Sequence, residues 1–241
     1  MVNFTNMSFK AWASCQLLVI TGYPQSTSVK TESFDVVTLT TCQSLPAYPL
    51  AIGVATGAFV NSRVVICGGA SFSATSQCYS IGKNETEWKL VGNMITPRYA
   101  AASVEINNKL VIFGGYDIST IFQSTEEIDV ETGTATAGPN MPLAIWGHCA
   151  VKLNTTTVLI IGGRPDESGY LRSSYFYNAV LKTFEPGPLL NDKRAYHACS
   201  ILNTGTEIFV VVAGGWNGAA GRLDSTEYMD VNQPTMWKTG L

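Results

Sequence analysis

Side chains able to do acid–base, nucleophilic or metal chemistry are few in this chain, and their spacing does not converge. There are two histidines, His148 and His197. An imidazole pair beside a tyrosine such as Tyr99 or Tyr196 is a ligand set that copper accepts. Zinc is not expected, because no CxxC pair is present and both histidines lie far from any paired cysteines. The carboxylates Asp117, Asp166 and Glu167 fall in loops, and no spacing among them selects a general acid and base. A Gly-x-Ser-x-Gly elbow, a phosphate loop and a dinucleotide fingerprint are all absent. The reading is therefore no enzyme, no cofactor and no metal.

Cysteines and asparagines are more informative about compartment. Six cysteines, an even number, accompany four Asn-x-Ser/Thr sequons at Asn3, Asn6, Asn84 and Asn154. Both features point to an oxidising, secreted or extracellular setting. Cys67 and Cys78 flank one loop on neighbouring strands and are the candidates for a local disulfide. Cys149 and Cys199 fall one position apart in equivalent strands, which points them to opposite faces and reads as buried thiols.

Composition narrows the partners. The net charge of −3 over 241 residues, with no run of like charges, argues against nucleic acid. No stretch approaches the roughly 18 apolar residues of a membrane span. The most apolar early segment, Ala11 to Ile20, is broken by Ser14, Cys15 and Gln16 and reads as the approach to a strand rather than a signal sequence.

The elements that position these residues are repeated. Leu17–Gly22, Val64–Gly69, Leu110–Gly115, Val158–Gly163 and Phe209–Gly215 are short apolar runs, four ending in Gly-Gly and the first in Thr21-Gly22. Their last glycines, Gly22, Gly69, Gly115, Gly163 and Gly215, stand 47, 46, 48 and 52 residues apart. β-Branched runs of this kind suit strands buried on both faces. An extended stretch precedes each of the later runs, as at Tyr99–Ile106, His148–Leu153 and Tyr196–Leu202. Turns at Asn61-Ser62, Asn107-Asn108, Asn154-Thr155 and Asn203–Gly205 join the two. A third strand follows, with a Ser/Thr-x-Glu flavour at Glu126 and Glu227. A fourth carries Trp88, Phe184 or Trp237, and the third repeat has only Thr134-Ala-Thr there.

This pattern resembles the kelch repeat over about residues 16 to 241. Cys67 beside the glycines with Cys78 on the next strand looks like secreted invertebrate kelch proteins. The resemblance implies an all-β, kelch-type β-propeller of four-stranded blades in one domain, residues 1–241. Five repeats are visible, and the ring is read either as five-bladed or as an incomplete six-bladed one. Two enzymatic relatives of the fold define the alternative: galactose oxidase, which holds copper with histidine and tyrosine, and the sialic-acid mutarotases.

Strand order gives a functional expectation. With strands a to d antiparallel, the a–b and c–d turns share one end of the propeller, and the b–c and d–a connections share the other. Asn154 lies in an a–b turn and Asn84 in a c–d turn, so glycans there would cover one end. The opposite end carries Tyr116, Arg164 and Trp216 directly after glycine pairs, with Tyr99, Trp146 and Tyr196 on the d–a connections. Aromatic residues and arginine are enriched in binding hot spots. These six are read as the partner-binding surface for a protein or glycan. Arg98 and Arg194, in contrast, read as internal props for Glu126 and Glu227.

Overall fold

The computed structural model describes residues 46–218 and 220–240, together with the backbone of three earlier strands. Those strands, β1 (Leu17–Ile20), β2 (Thr31–Asp35) and β3 (Thr40–Thr41), form a three-stranded antiparallel sheet, the first blade. The first strand expected for that repeat, at Met7–Trp12, lies outside the described residues, as do Thr21 and Gly22.

Four complete antiparallel sheets follow in chain order. Blade two comprises β4 (Thr56–Val60), β5 (Arg63–Cys67), β6 (Gln77–Gly82) and β7 (Lys89–Asn93). Blade three comprises β8 (Ala102–Ile106), β9 (Lys109–Phe113), β10 (Thr125–Asp129) and β11 (Ala135–Ala137). Blade four comprises β12 (Cys149–Lys152), β13 (Thr157–Ile161), β14 (Ser174–Asn178) and β15 (Thr183–Pro186). Blade five comprises β16 (Ala198–Asn203), β17 (Ile208–Ala213), β18 (Thr226–Asp230) and β19 (Lys238–Thr239). The a–b hairpins of blades two and three turn on left-handed residue pairs, Asn61 and Ser62 (φ 48° and 61°) and Asn107 and Asn108 (φ 51° and 62°). Two positive φ values in succession match the right-handed twist of the flanking strands.

Continuous apolarity of the second strands follows from how blades stack. Side chains alternate along a strand, so each b strand serves two seams. Leu110 and Ile112 pack on Val65, Cys67 and Cys78 of blade two. Val111 and Phe113 pack on Val158, Ile160 and Tyr177 of blade four. Leu159 and Ile161 meet Val210 and Val212 of blade five. Each such aliphatic side chain contributes about 1.5–3 kcal/mol on full burial. Blade five departs from this pattern: Val210 and Val212 are fully buried, whereas Phe209, Val211 and Ala213 stay half-exposed. Their face has no covering blade among the described residues.

The glycine pairs are the joints of the ring. Gly69, Gly115 and Gly163 each donate their N–H to a carbonyl entering the next blade, that of Arg98, Ile145 and Arg194, all at 2.9 Å. A Cβ on the preceding glycine would lie 2.3, 2.4 and 2.5 Å from those same oxygens. Any side chain there would separate the blades. Nearer the axis, Ala100 N–H donates to Val54 O, Gly147 N–H to Ala100 O, and Tyr196 N–H to Gly147 O, at 2.9, 2.8 and 2.7 Å.

Candidate recognition site

The expected internal props are present. Arg98 is buried and ion-paired with the equally buried Glu126, and Arg194 pairs with Glu227 at 2.7 Å. Each carboxylate also accepts two backbone N–H bonds, from Ile95 and Thr96 or from Asn191 and Asp192. Each guanidinium reaches the carbonyl of its blade's first glycine, Gly114 or Gly214. Blade four lacks both partners together, with Ile145 at the arginine position and Tyr175 at the glutamate position. A buried charge left alone would cost several kcal/mol, so the two can only be lost as a pair.

The b–c and d–a connections do meet at one end. Backbone bridges pair Tyr99 with Tyr116, Trp146 with Arg164, and Ala195 with Trp216. Five of the six sequence-selected residues form one contiguous cluster across three blades. The Tyr99 and Tyr116 rings lie 5.4 Å apart, Tyr116 and Trp146 4.9 Å, and Trp146 and Tyr196 5.5 Å. Gly147 permits the last contact, since a Cβ there would stand 2.8 Å from the Tyr196 ring. All five side chains are half-buried. Trp216 is held by its bridges to Ala195 and Arg222 and joins none of these ring contacts.

Arg164 differs from Arg98 and Arg194. No carboxylate lies within ion-pairing distance of it among the described residues. Its guanidinium sits over the Trp146 ring at 5.0 Å and over the Tyr170 ring at 4.9 Å, and its charge acts on the Tyr196 phenol. Arg164 Nε and Trp146 Nε1 are both buried without a hydrogen-bond partner. Tyr170 was missed by the sequence reading. The only available signal was an aromatic within the Arg164–Arg172 loop. The fully exposed Phe72, on the corresponding loop of blade two, was missed in the same way.

Burial pushes the Tyr99 and Tyr196 phenols up to about 12, so both stay protonated donors. Asp117 and Asp166 are tied down locally. Asp117 Oδ1 accepts from Ser119 and Thr120, and Asp166 Oδ1 from Ser168 and Gly169, and these bonds hold both carboxyls below their usual range. They cap their own turns.

His148 and His197 directly precede β12 and β16. Both are enclosed, and burial pushes them down to about 3. His197 Nε2 lies 3.2 Å from Cys149 Sγ. No three metal-ligating side chains converge among the described residues.

The cysteines required one correction. Cys67 and Cys78, directly opposed on β5 and β6, form a disulfide. Cys149 and Cys199 are not thiols; they form a second disulfide, between blades four and five. Opposite faces of adjacent blades look at each other across a seam, so the register offset is what brings these two sulfurs together.

Asn84 and Asn154 are both exposed, on turns at the end opposite the aromatic cluster. Asn3 and Asn6 lie outside the described residues.

Glycine-jointed, four-stranded antiparallel blades packed in a ring define a β-propeller. A family model described as the kelch motif matches residues 97–142, and the chain is a kelch-repeat β-propeller. It is similar to the N-acetylneuraminate epimerase of Salmonella typhi, 26% identical over 137 residues. That match covers 50% of this chain and 33% of the relative, so it spans a third of the relative's length.

Proposed function

We propose that residues 1–241 form one propeller domain acting as a non-catalytic, extracellular recognition module. It binds protein or glycan through Tyr99, Tyr116, Trp146, Arg164, Tyr196 and Trp216. The observation that carries this reading is the contiguous aromatic cluster with an arginine that makes no ion pair among the described residues. Such anchors are where binding energy concentrates. Two disulfides support an oxidising compartment. Glycans on Asn84 and Asn154 would leave the aromatic end open.

The test is a pull-down and a glycan array with the propeller as bait, repeated with an Arg164→Gln/Trp216→Ala variant. The expected result is loss of the captured partner with the melting temperature unchanged. Undiminished capture would overturn the assignment of this end.

A second reading, a sugar-active enzyme, is favoured by one observation, the similarity to an epimerase. Turnover of N-acetylneuraminate or N-acetylmannosamine, followed by proton NMR of the anomeric signals, would establish it.

A further inference from the structure

Arg98, Arg164 and Arg194 stand at the b–c and d–a end, and their surroundings divide them. Arg98 and Arg194 are neutralised by Glu126 and Glu227 and hydrogen-bonded through both terminal guanidinium nitrogens, although Arg194 Nε, like Arg164 Nε, is buried without a partner. Arg164 makes no ion pair among the described residues, the Asp166 charge acting on it only at longer range, and it is held from both backbone and side chain. Its backbone exchanges two hydrogen bonds with Trp146, N–H to O at 2.9 Å and O from N–H at 3.1 Å. Its guanidinium is held between the indole of Trp146 and the ring of Tyr170. The Tyr170 ring is in turn packed by Gly218 of blade five, where a Cβ would come within 2.9 Å of it.

A guanidinium fixed in orientation and left without its anion is preorganised for a carboxylate, which it engages through paired parallel N–H donors. The adjacent Trp146 Nε1 and Arg164 Nε are buried with no protein acceptor, which leaves the outer guanidinium nitrogens to meet a ligand. Around them stand the half-buried rings of Tyr99, Tyr116, Trp146 and Tyr196. These offer flat aromatic surface and phenol hydroxyls rather than an aliphatic groove. Asp117 and Asp166 are hydrogen-bonded through Oδ1 within their own turns and ion-pair with no described residue.

We infer that this cluster is a binding site for a carboxylate-bearing sugar. The acid group seats on Arg164 and the apolar face of the pyranose lies on the Trp146–Tyr196 rings. The inference rests on the recognition reading above and specifies its ligand.

The test is titration of the intact protein, followed by tryptophan fluorescence and by calorimetry. The probes are sodium glucuronate and N-acetylneuraminate against glucose and N-acetylglucosamine at matched ionic strength, with a Glu-rich peptide as a separate arm. The sugar acids are expected to bind at least tenfold tighter than their neutral counterparts. Arg164→Gln should remove that preference with the melting temperature unchanged, and Arg164→Lys should restore part of it. Trp146→Phe shrinks the indole to a phenyl ring and deletes the N–H, and should weaken binding several-fold.

Equal binding of neutral and acidic sugars overturns the inference, as does an unaltered Arg164→Gln variant or binding of the peptide alone. If a partner is still lost on Trp216 or Tyr196 replacement while Arg164→Gln is silent, the recognition surface stands and only its ligand class is wrong. If no variant at this end affects any binding, both readings fall.

Discussion

Cys149 and Cys199 are joined across the seam between blades four and five, three residues beyond Trp146 and Tyr196 respectively. The bridge therefore ties together the two inner strands that present the central rings of the aromatic cluster. It closes a far longer stretch of chain than the Cys67–Cys78 bridge, 50 residues of separation against 11. A Cys149→Ser/Cys199→Ser variant is expected to lose about 2–4 kcal/mol in urea unfolding. Blade five, whose other face has no covering blade among the described residues, should become the first site of proteolysis. Non-reducing peptide mapping that failed to recover the 149–199 linked pair would remove the basis of this expectation.

The buried ion pairs should behave asymmetrically. Arg98→Met strands Glu126 without its cation and is expected to cost about 3–5 kcal/mol. Arg98→Met/Glu126→Gln should cost much less than the sum of the single changes, because no buried charge is left unpaired and the amide oxygen still accepts one of the two N–H bonds from Ile95 and Thr96. A double-mutant cycle by chemical denaturation reads the coupling. Additive costs would show that the pair is not the unit.

Stability should fall on mild acidification. His148 and His197 are pushed down to about 3 by burial, with the Arg194 charge acting further on His197, from an ordinary value of 6.5. The unfolded chain thus takes up protons that the folded chain refuses. Their contribution is complete above pH 6.5 and is lost as pH falls towards 3. The slope approaches about 1.4 kcal/mol per pH unit for each histidine. Glu85, held down to about 2 chiefly by Arg63, matters only below its ordinary 4.5, so the interval from pH 6.5 to 5 isolates the histidines. Urea midpoints over that interval should slope in the native protein and flatten in His148→Gln/His197→Gln.

Gly147 is a sensitive position for the site. Gly147→Ala adds a Cβ against the Tyr196 ring at a φ of +62°. A cost of about 1–3 kcal/mol is expected, together with weakened ligand binding from displacement of that ring. Binding left intact by this change would show that Tyr196 is not part of the surface.

Occupancy of the sequons is read directly. Protein secreted from eukaryotic cells and treated with peptide-N-glycosidase should lose mass, and less of it in Asn84→Gln/Asn154→Gln. An unshifted mass would remove the argument that one end is shielded.

Much of this architecture was legible in the chain because a propeller writes its rules locally and repeats them. The glycine pairs mark where a backbone must approach the next blade. Runs such as Leu110–Phe113 are apolar at every position because they feed two seams. Asn61-Ser62 and Asn107-Asn108 announce their turns. Antiparallel order alone placed Tyr116 and Tyr99 at one end, and the recurrence of arginine with glutamate anticipated the Arg98–Glu126 prop.

What remained hidden depended on contacts between repeats, which no single repeat records. Register offset made Cys149 and Cys199 look as though they faced apart, and only the stacking of two blades shows that facing apart is facing each other. Tyr170 carried no repeat signature, yet packing against Gly218 brings it over Arg164. Arg98, Arg164 and Arg194 are chemically identical in sequence, and the tertiary surroundings alone decide that two are neutralised and one is left with donors to offer. The sequence by itself determined the blade, because strand, turn and joint are local consequences of residue type. The structure decided the site, because a site here is what three blades leave unsatisfied where they meet.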